Sequence, residues 1–391
     1  MKRQLVAASA LGLVVLASVS VAQGIAVTLR ETRASDEAKR EGLEFVERRL
    51  QIGNLGLRYR QTIAPAQADQ PVCQQYGDYF LGATFPVTWN WDSEYFLDVQ
   101  VARPNEPPFA ANRALLQEGT YVLGQGDRGV AELVWPLPPG PAQPGKLAVR
   151  IVKPAGEAEW FYLEARLEGE PDAQITQVRV GAYPFVTTGP PERQRWVSTL
   201  TSAHRMIDAQ VPLTPATEWG LVLHNKLAQE EGGCLFVFDP AEVQAARAGG
   251  TYCVSVAMDA QPGARAAHLA FGYFWDSGYA KAVAQCRADA PRVLERLRGL
   301  DWSAPLDVAR WQRLSRTIDQ LLSHQGVAER FGDRWRSLAQ QMRAAVDASH
   351  DAAPASREGE RHFALLLADA QKLKVEAYGV ALGALVSEAA Q

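Results

Sequence analysis

The sequence predicts an α+β chain, an N-terminal antiparallel all-β sandwich followed by a C-terminal antiparallel helical bundle. Three observations predict it. Within residues 269–283 the hydrophobic period changes from two to about three and a half, as it does where a strand gives way to a helix. Before that stretch, short alternating apolar segments are separated by Gly-, Pro- and Asn-rich turns. After it, apolar residues recur three and four apart to the end of the chain.

The 391 residues are 47% hydrophobic and 21% charged, ordinary globular composition with material for two cores of usual size. A formal net charge of −4, with the helical half close to balance, provides no basic field for a phosphate backbone, so no nucleic-acid partner is predicted.

Residues 1–22 read as an export signal: Lys2 and Arg3, an apolar run over 5–19, then Ser20-Val21-Ala22 with small residues where a cleavage site needs them. The mature chain then starts at Gln23 and works in the periplasm, the cell envelope or outside the cell. The rival expectation is an uncleaved N-terminal anchor, since the run falls only slightly short of a membrane span. No later segment is predicted to cross a membrane. Residues 23–44, charged and poor in apolar groups over 24–40, are expected to be a mobile or loosely docked leading segment.

The sandwich is predicted over 45–276. Residues 45–60 alternate on either side of Gly53-Asn54, a natural turn, and an aromatic cluster from Tyr76 to Trp91 follows, with Trp89 and Trp91 set to face one way. Residues 95–103 alternate as a strand. Residues 120–123 and 130–137 flank a segment with Gly124, Gly126 and Gly129; strands on both sides make it a hairpin, whereas a phosphate cradle opens a helix. Residues 146–153 and 159–168 pair around Pro154-Ala155-Gly156, and further strands are expected at 174–183, 195–207, 219–227, 234–238, 252–258 and 268–275. Alanine-rich 241–248 is expected to add one short helix.

The bundle is predicted over 277–391. Asp276 and Ser277 offer side-chain oxygens to a helix starting near Gly278. Trp311, Leu314, Ile318 and Leu321 make one stripe, and Val327, Phe331, Trp335, Leu338, Met342 and Val346 another. The last helix, 356–389, carries a near-heptad seam of Phe363, Leu366, Ala370, Leu373, Ala377, Val380 and Ala384. That seam serves either the bundle itself, as the short connecting loops favour, or a protein partner or second copy.

Chemistry is sparsely signposted. The six histidines include no close pair and no His-Glu-x-x-His, so no metal site and no cofactor is predicted, and no Gly-x-Ser-x-Gly elbow is present. Cys73, Cys234, Cys253 and Cys286 allow three pairings in an exported chain, with Cys234–Cys253 slightly preferred and four buried thiols as the alternative. One strand stands out. Trp160, Tyr162, Glu164 and Arg166 share a face, and rings beside a carboxylate and a guanidinium suit a sugar, whose C–H faces stack while its hydroxyls form hydrogen bonds. If the chain is an enzyme, Glu164 and Asp276 are the candidate acid and base, with His204 and His224 as helpers. The bland alternative makes the rings sheet–helix core, Glu164 and Arg166 an ion pair, the histidines ordinary strand residues and Asp276 a helix cap.

In layout, a large sandwich joined to a helical unit resembles the galactose-mutarotase-type domains of polysaccharide-degrading enzymes, where the helical domain comes first and is larger. No motif matches residue by residue, so no site is carried over. Three functions remain: an exported glycan-binding or envelope-associated protein, a glycoside hydrolase or polysaccharide lyase, and an assembly component acting through its C-terminal helices.

Overall fold

The computed structural model describes residues 25–34, 44–63, 82–85, 88–93, 96–113, 119–139, 144–182, 195–206, 210–225, 233–250, 254–274, 278–304, 306–351 and 356–389. The expected export signal, Asp276, Ser277, Cys73 and Cys253 lie outside them, as do the side chains of Trp89 and Trp91. No helix among the described residues is long and apolar enough to cross a membrane.

The fold is α+β, with antiparallel sheets followed by four helices. Strands β1 (Val27–Ala34), β2 (Glu44–Ile52), β3 (Leu55–Ile63), β4 (Gly82–Phe85) and β5 (Thr88–Ser93) form a meander. Part of the leading segment is docked as a strand: β1 pairs with β2 along its whole length, and Ile25 bridges to Gly126 at the tip of the glycine-rich hairpin. Val27 is buried there with Leu50, Ile52, Leu55 and Leu57, which supplies the apolar anchor that the charged sequence around it concealed.

The remaining strands divide between two sheets. They are β6 (Leu97–Ala102), β7 (Phe109–Ala110), β8 (Gly119–Gly124), β9 (Arg128–Pro136), β10 (Lys146–Pro154), β11 (Trp160–Glu168), β12 (Gln174–Ala182), β13 (Arg195–Thr199), β14 (Ala203–Arg205), β15 (Val211–Leu213), β16 (Gly220–Asn225), β17 (Cys234–Phe238), β18 (Val243–Gly249), β19 (Val254–Ala260) and β20 (Ala266–Tyr273). A nine-stranded sheet runs β14-β13-β16-β17-β20-β11-β10-β9-β8, and a six-stranded sheet runs β15-β18-β19-β12-β6-β7. The two face each other across one core, where Phe271 packs on Phe96 at 4.7 Å and on Phe161 at 5.5 Å between ring centroids. The short helix expected at 241–248 is instead β18, held between β15 and β19 with Val243, Ala246 and Ala248 buried. Pairing and burial there override the helix propensity of alanine.

Helix α1 (Tyr279–Gly299) lies on the outer face of the large sheet. Its sheet-facing Ala282, Cys286 and Ala290 are small, which lets the helix approach the strands closely, and Val293, Leu294 and Leu297 fill the space further on. Helices α2 (Val308–Leu321), α3 (Gln325–Asp351) and α4 (Arg357–Ala389) form the bundle proper, around Trp311, Ile318, Trp335, Met342, Phe363, Ala370 and Leu373. All six buried α1 residues belong to the sheet-facing cluster, so that helix is a third layer of the sandwich rather than a member of the bundle. The seam expected on α4 is buried from Phe363 to Ala377, half-buried at Val380 and exposed at Ala384.

Cys234 and Cys286 are free, buried thiols, and burial pushes the Cys286 thiol up to about 12. Cys253, the partner preferred for Cys234, lies outside the described residues.

Candidate functional site

The sequence-predicted sugar face is not open. Because side chains alternate along β11, Phe161, Leu163, Ala165 and Leu167 enter the sandwich core while Trp160, Tyr162 and Glu164 point to the helices. All three of the latter are 0% exposed. The Trp160 Nε1–H donates to Asp289 Oδ2 of α1 at 3.1 Å, and the Arg296 guanidinium lies over the Tyr162 ring at 5.9 Å. Neither ring offers a face to a ligand, which corrects the expected platform: a layer of helix covers the residues that looked available.

Glu164 belongs to a charged seam between the sheet, α4 and the loop joining α1 to α2. It accepts from Arg166 at 2.6 and 3.0 Å, from Arg357 of α4, and from His268 Nε2 at 3.3 Å. Burial pushes its carboxyl up, but the bonds from His268 and Arg166 and the charge of Arg357 outweigh burial and bring it down to about 2. His268 is held on its other side by Glu242, 2.6 Å from Nδ1, and its ring tilts against Trp302 at 5.3 Å. Burial alone lowers the imidazole; the two carboxylates reverse that and raise it to about 9. Near neutral pH the pair is an imidazolium between two carboxylates, with both ring N–H groups engaged. It has neither a proton to give readily nor a free base, so this geometry makes it a clasp rather than an acid–base couple.

Deeper in the seam, Arg150 is 0% exposed in the apolar run of β10. It donates to Glu132 at 3.0 Å and to the Trp302 carbonyl at 2.6 Å, and its Nη2 forms an ion pair with Glu360 Oε2 at 2.8 Å without hydrogen-bond alignment. Glu360 accepts in turn from the Ala304 N–H at 2.8 Å, and Arg361 spans Glu132 and Glu168 at 2.6–2.7 Å. Three segments, β9, the loop joining α1 to α2, and α4, therefore meet on one arginine.

The clasp gives stability a defined pH dependence. For His268 the folded value lies above the ordinary 6.5, so its contribution is complete below pH 6.5 and is lost as pH rises through about 9. For Glu164 the folded value lies below the ordinary 4.5, so its contribution is complete above pH 4.5 and lost as pH falls through about 2. Lys153, lowered to about 8 by burial, works in the opposite sense to His268 above pH 8. We therefore expect the stability difference between the native chain and His268→Gln to be flat from pH 5 to 6.5 and to shrink by about 2 kcal/mol towards pH 9.5. Urea unfolding across that range tests it, and parallel curves for the two proteins would contradict the assignment.

The two helper histidines are placed elsewhere. His204 sits on edge strand β14, His224 two strands inward on β16 and Glu164 three strands further on β11. At about 4.8 Å per strand, His204 and Glu164 are some 24 Å apart across the sheet. His224 is 1% exposed, bonded through Nε2 to Ser198 Oγ at 2.8 Å and stacked on Tyr279 at 4.9 Å. His204 Nε2 meets Ser202 Oγ at 2.9 Å and Glu218 Oε1 at 2.8 Å. A nucleophile–base–acid relay uses opposite ring nitrogens, whereas here one nitrogen meets both partners. Glu218 also accepts from the Thr214 N–H at 2.7 Å and from Thr199 and Ser202; burial raises it, these bonds lower it to about 2, and the cluster closes the β13–β14 turn. The described candidates Glu164, His204 and His224 do not assemble, and Asp276 lies outside the described residues. Among the described residues no three His, Cys, Asp or Glu side chains group as metal ligands.

Two surface features remain. An open cleft of about 460 Å³ lies between the hairpin tip and the helices, lined by Gln125, Asp127, Arg128, Arg296, Leu306 and Asp307. The second is the outward face of α4. Val375, Tyr378, Leu382 and Val386 are 61%, 43%, 59% and 68% exposed, at helical spacing, and every exposed described position from Val375 to Val386 is uncharged. The sequence carried a sign of this face: α4 has a second apolar set between its seam positions, so it is apolar on two sides, and a bundle edge covers only one.

No family model matches the chain, and no curated protein matches it. Among solved structures it is weakly similar to a candidate aldose 1-epimerase from Klebsiella pneumoniae, at 10% identity and a TM-score of 0.32, over 69% of this chain and 96% of that one.

Proposed function

We propose that the chain is a non-catalytic binding protein of the cell envelope or its exterior, an assembly component that meets its partner through the distal half of α4. The exposed row Val375, Tyr378, Leu382 and Val386 carries this reading, because a run of large apolar side chains on one helix face marks a contact surface. Its inner side is already satisfied by Leu321, Val327 and Phe331 against Ala377 and Ala381, so the outer side is spare. Export is supported by Lys2, Arg3, the apolar run and Ser20-Val21-Ala22. The burial and saturation of Glu164, and the separation of the histidines, weigh against the hydrolase or lyase reading.

A glycan-binding role has one separate support, the cleft beside Arg128, where carboxylates and guanidiniums adjoin Val130, Leu300 and Leu306. The two readings part on one experiment. A photo-crosslinking residue is placed at Leu382 or at Gln125 in the producing cell, and retention of the purified chain on polysaccharides is measured alongside. We expect a discrete protein adduct from position 382 and no retention. Retention with no adduct from 382 would replace the assembly reading with the glycan one.

A further inference from the structure

Resting on the reading of α4 as a contact surface, the geometry points to its occupant: we propose that α4 pairs with α4 of a second copy, antiparallel, about a two-fold axis beside Val380 and Ala381. The order of residues is self-complementary about that point. Turned end for end, the row sets Val375 opposite Val386 and Tyr378 opposite Leu382, so each large side chain meets another.

A separate observation agrees. Gly379 lies on the exposed face, within α4 and near the proposed axis, and a Cβ added to it would meet nothing within 4 Å. Glycine inside a helix weakens it relative to alanine, and none of the described residues crowds the position. A bare turn beside bulky neighbours lets a second helix approach closely while Tyr378 and Leu382 reach past it. Glu376 faces away from this surface, engaged by Arg334 of α3 at 2.6 Å.

Sedimentation equilibrium of the full chain over a range of micromolar concentrations tests the pairing. We expect twice the chain mass, and Leu382→Asp should raise the dissociation constant at least about thirtyfold while leaving thermal stability unchanged at concentrations where both proteins are monomers, since Leu382 is exposed in a single copy. Orientation is read with a short bis-maleimide against the native chain as background. Gly379→Cys should link two copies and Val375→Cys should not, because antiparallel pairing sets the two 375 positions about 16 Å apart along the axis. Equal linking at both positions, or a dimer indifferent to Leu382→Asp, would overturn the proposal. A monomer whose bis-ANS fluorescence is lost in Leu382→Asp would overturn self-pairing but leave the face as a contact for another protein. A monomer with no such difference would remove both.

Discussion

Arg150→Met should destabilise the chain by about 3–5 kcal/mol, the range for breaking a buried ion network by removing one partner. Arg150 is wholly buried, and its guanidinium is shared by Glu132, Glu360 and the Trp302 carbonyl. The methionine chain fills much of the same space, so the loss is electrostatic more than volumetric. Glu132 keeps Arg361 at 2.7 Å, but Glu360 loses its only described guanidinium partner while 2% exposed. A companion protein, Arg150→Met with Glu360→Gln, should regain part of the stability, because the carboxylate that would otherwise be stranded is then neutral. Urea midpoints at unchanged slope measure both. An Arg150→Met protein within about 1 kcal/mol of the native one would show that water reaches the seam and that the network does not hold α4 to the sheet.

How much of this was legible in the sequence follows from the range of the forces involved. Strands with local alternation and turns with local chemistry, such as the pairs about Gly53-Asn54 and Pro154-Ala155-Gly156, could be read because both signals lie within a few residues. The strand β18 could not, because Val-Gln-Ala-Ala-Arg-Ala-Gly has the local preferences of a helix; what makes it a strand is its place between β15 and β19, with Arg247 bonded to Asp259 at 2.7 Å. The seam was illegible for the same reason at longer reach. Glu132, Arg150, Glu164, Glu360 and Arg361 meet only after the sheet has formed and α4 has docked. One local sign existed: Arg150 interrupts Leu-Ala-Val-Arg-Ile-Val, and a lone charge in a strand buried on both faces must find a buried partner. The Trp160 face was correctly assigned to one side of β11, but which layer covers that side depends on the path of α1, to which the strand sequence is blind.

Trp160→Ala is where the two readings of that face give opposite results. On an open platform the ring would stack on ligand, so its loss would remove binding and leave stability nearly untouched. In the fold observed, the indole is 0% exposed, packed in the cluster that includes Ala282, Cys286, Ala290 and Val293 of α1, with its N–H on Asp289. Truncation therefore opens a cavity under the helix and should cost about 3–5 kcal/mol, as large aromatic-to-alanine changes in cores do. Small residues on α1 cannot swing in to fill the space, which places the expectation towards the upper part of that range. Trp160→Phe keeps most of the volume and gives up the bond to Asp289, which retains Gln285 at 2.8 Å, so about 1 kcal/mol is expected there. The alanine protein should still carry whatever contact α4 makes, since the exposed row from Val375 to Val386 lies on the bundle's outer side. Native stability in Trp160→Ala would mean that α1 does not cover the sheet in solution, and would return the Trp160, Tyr162 and Glu164 face to candidacy as a ligand surface.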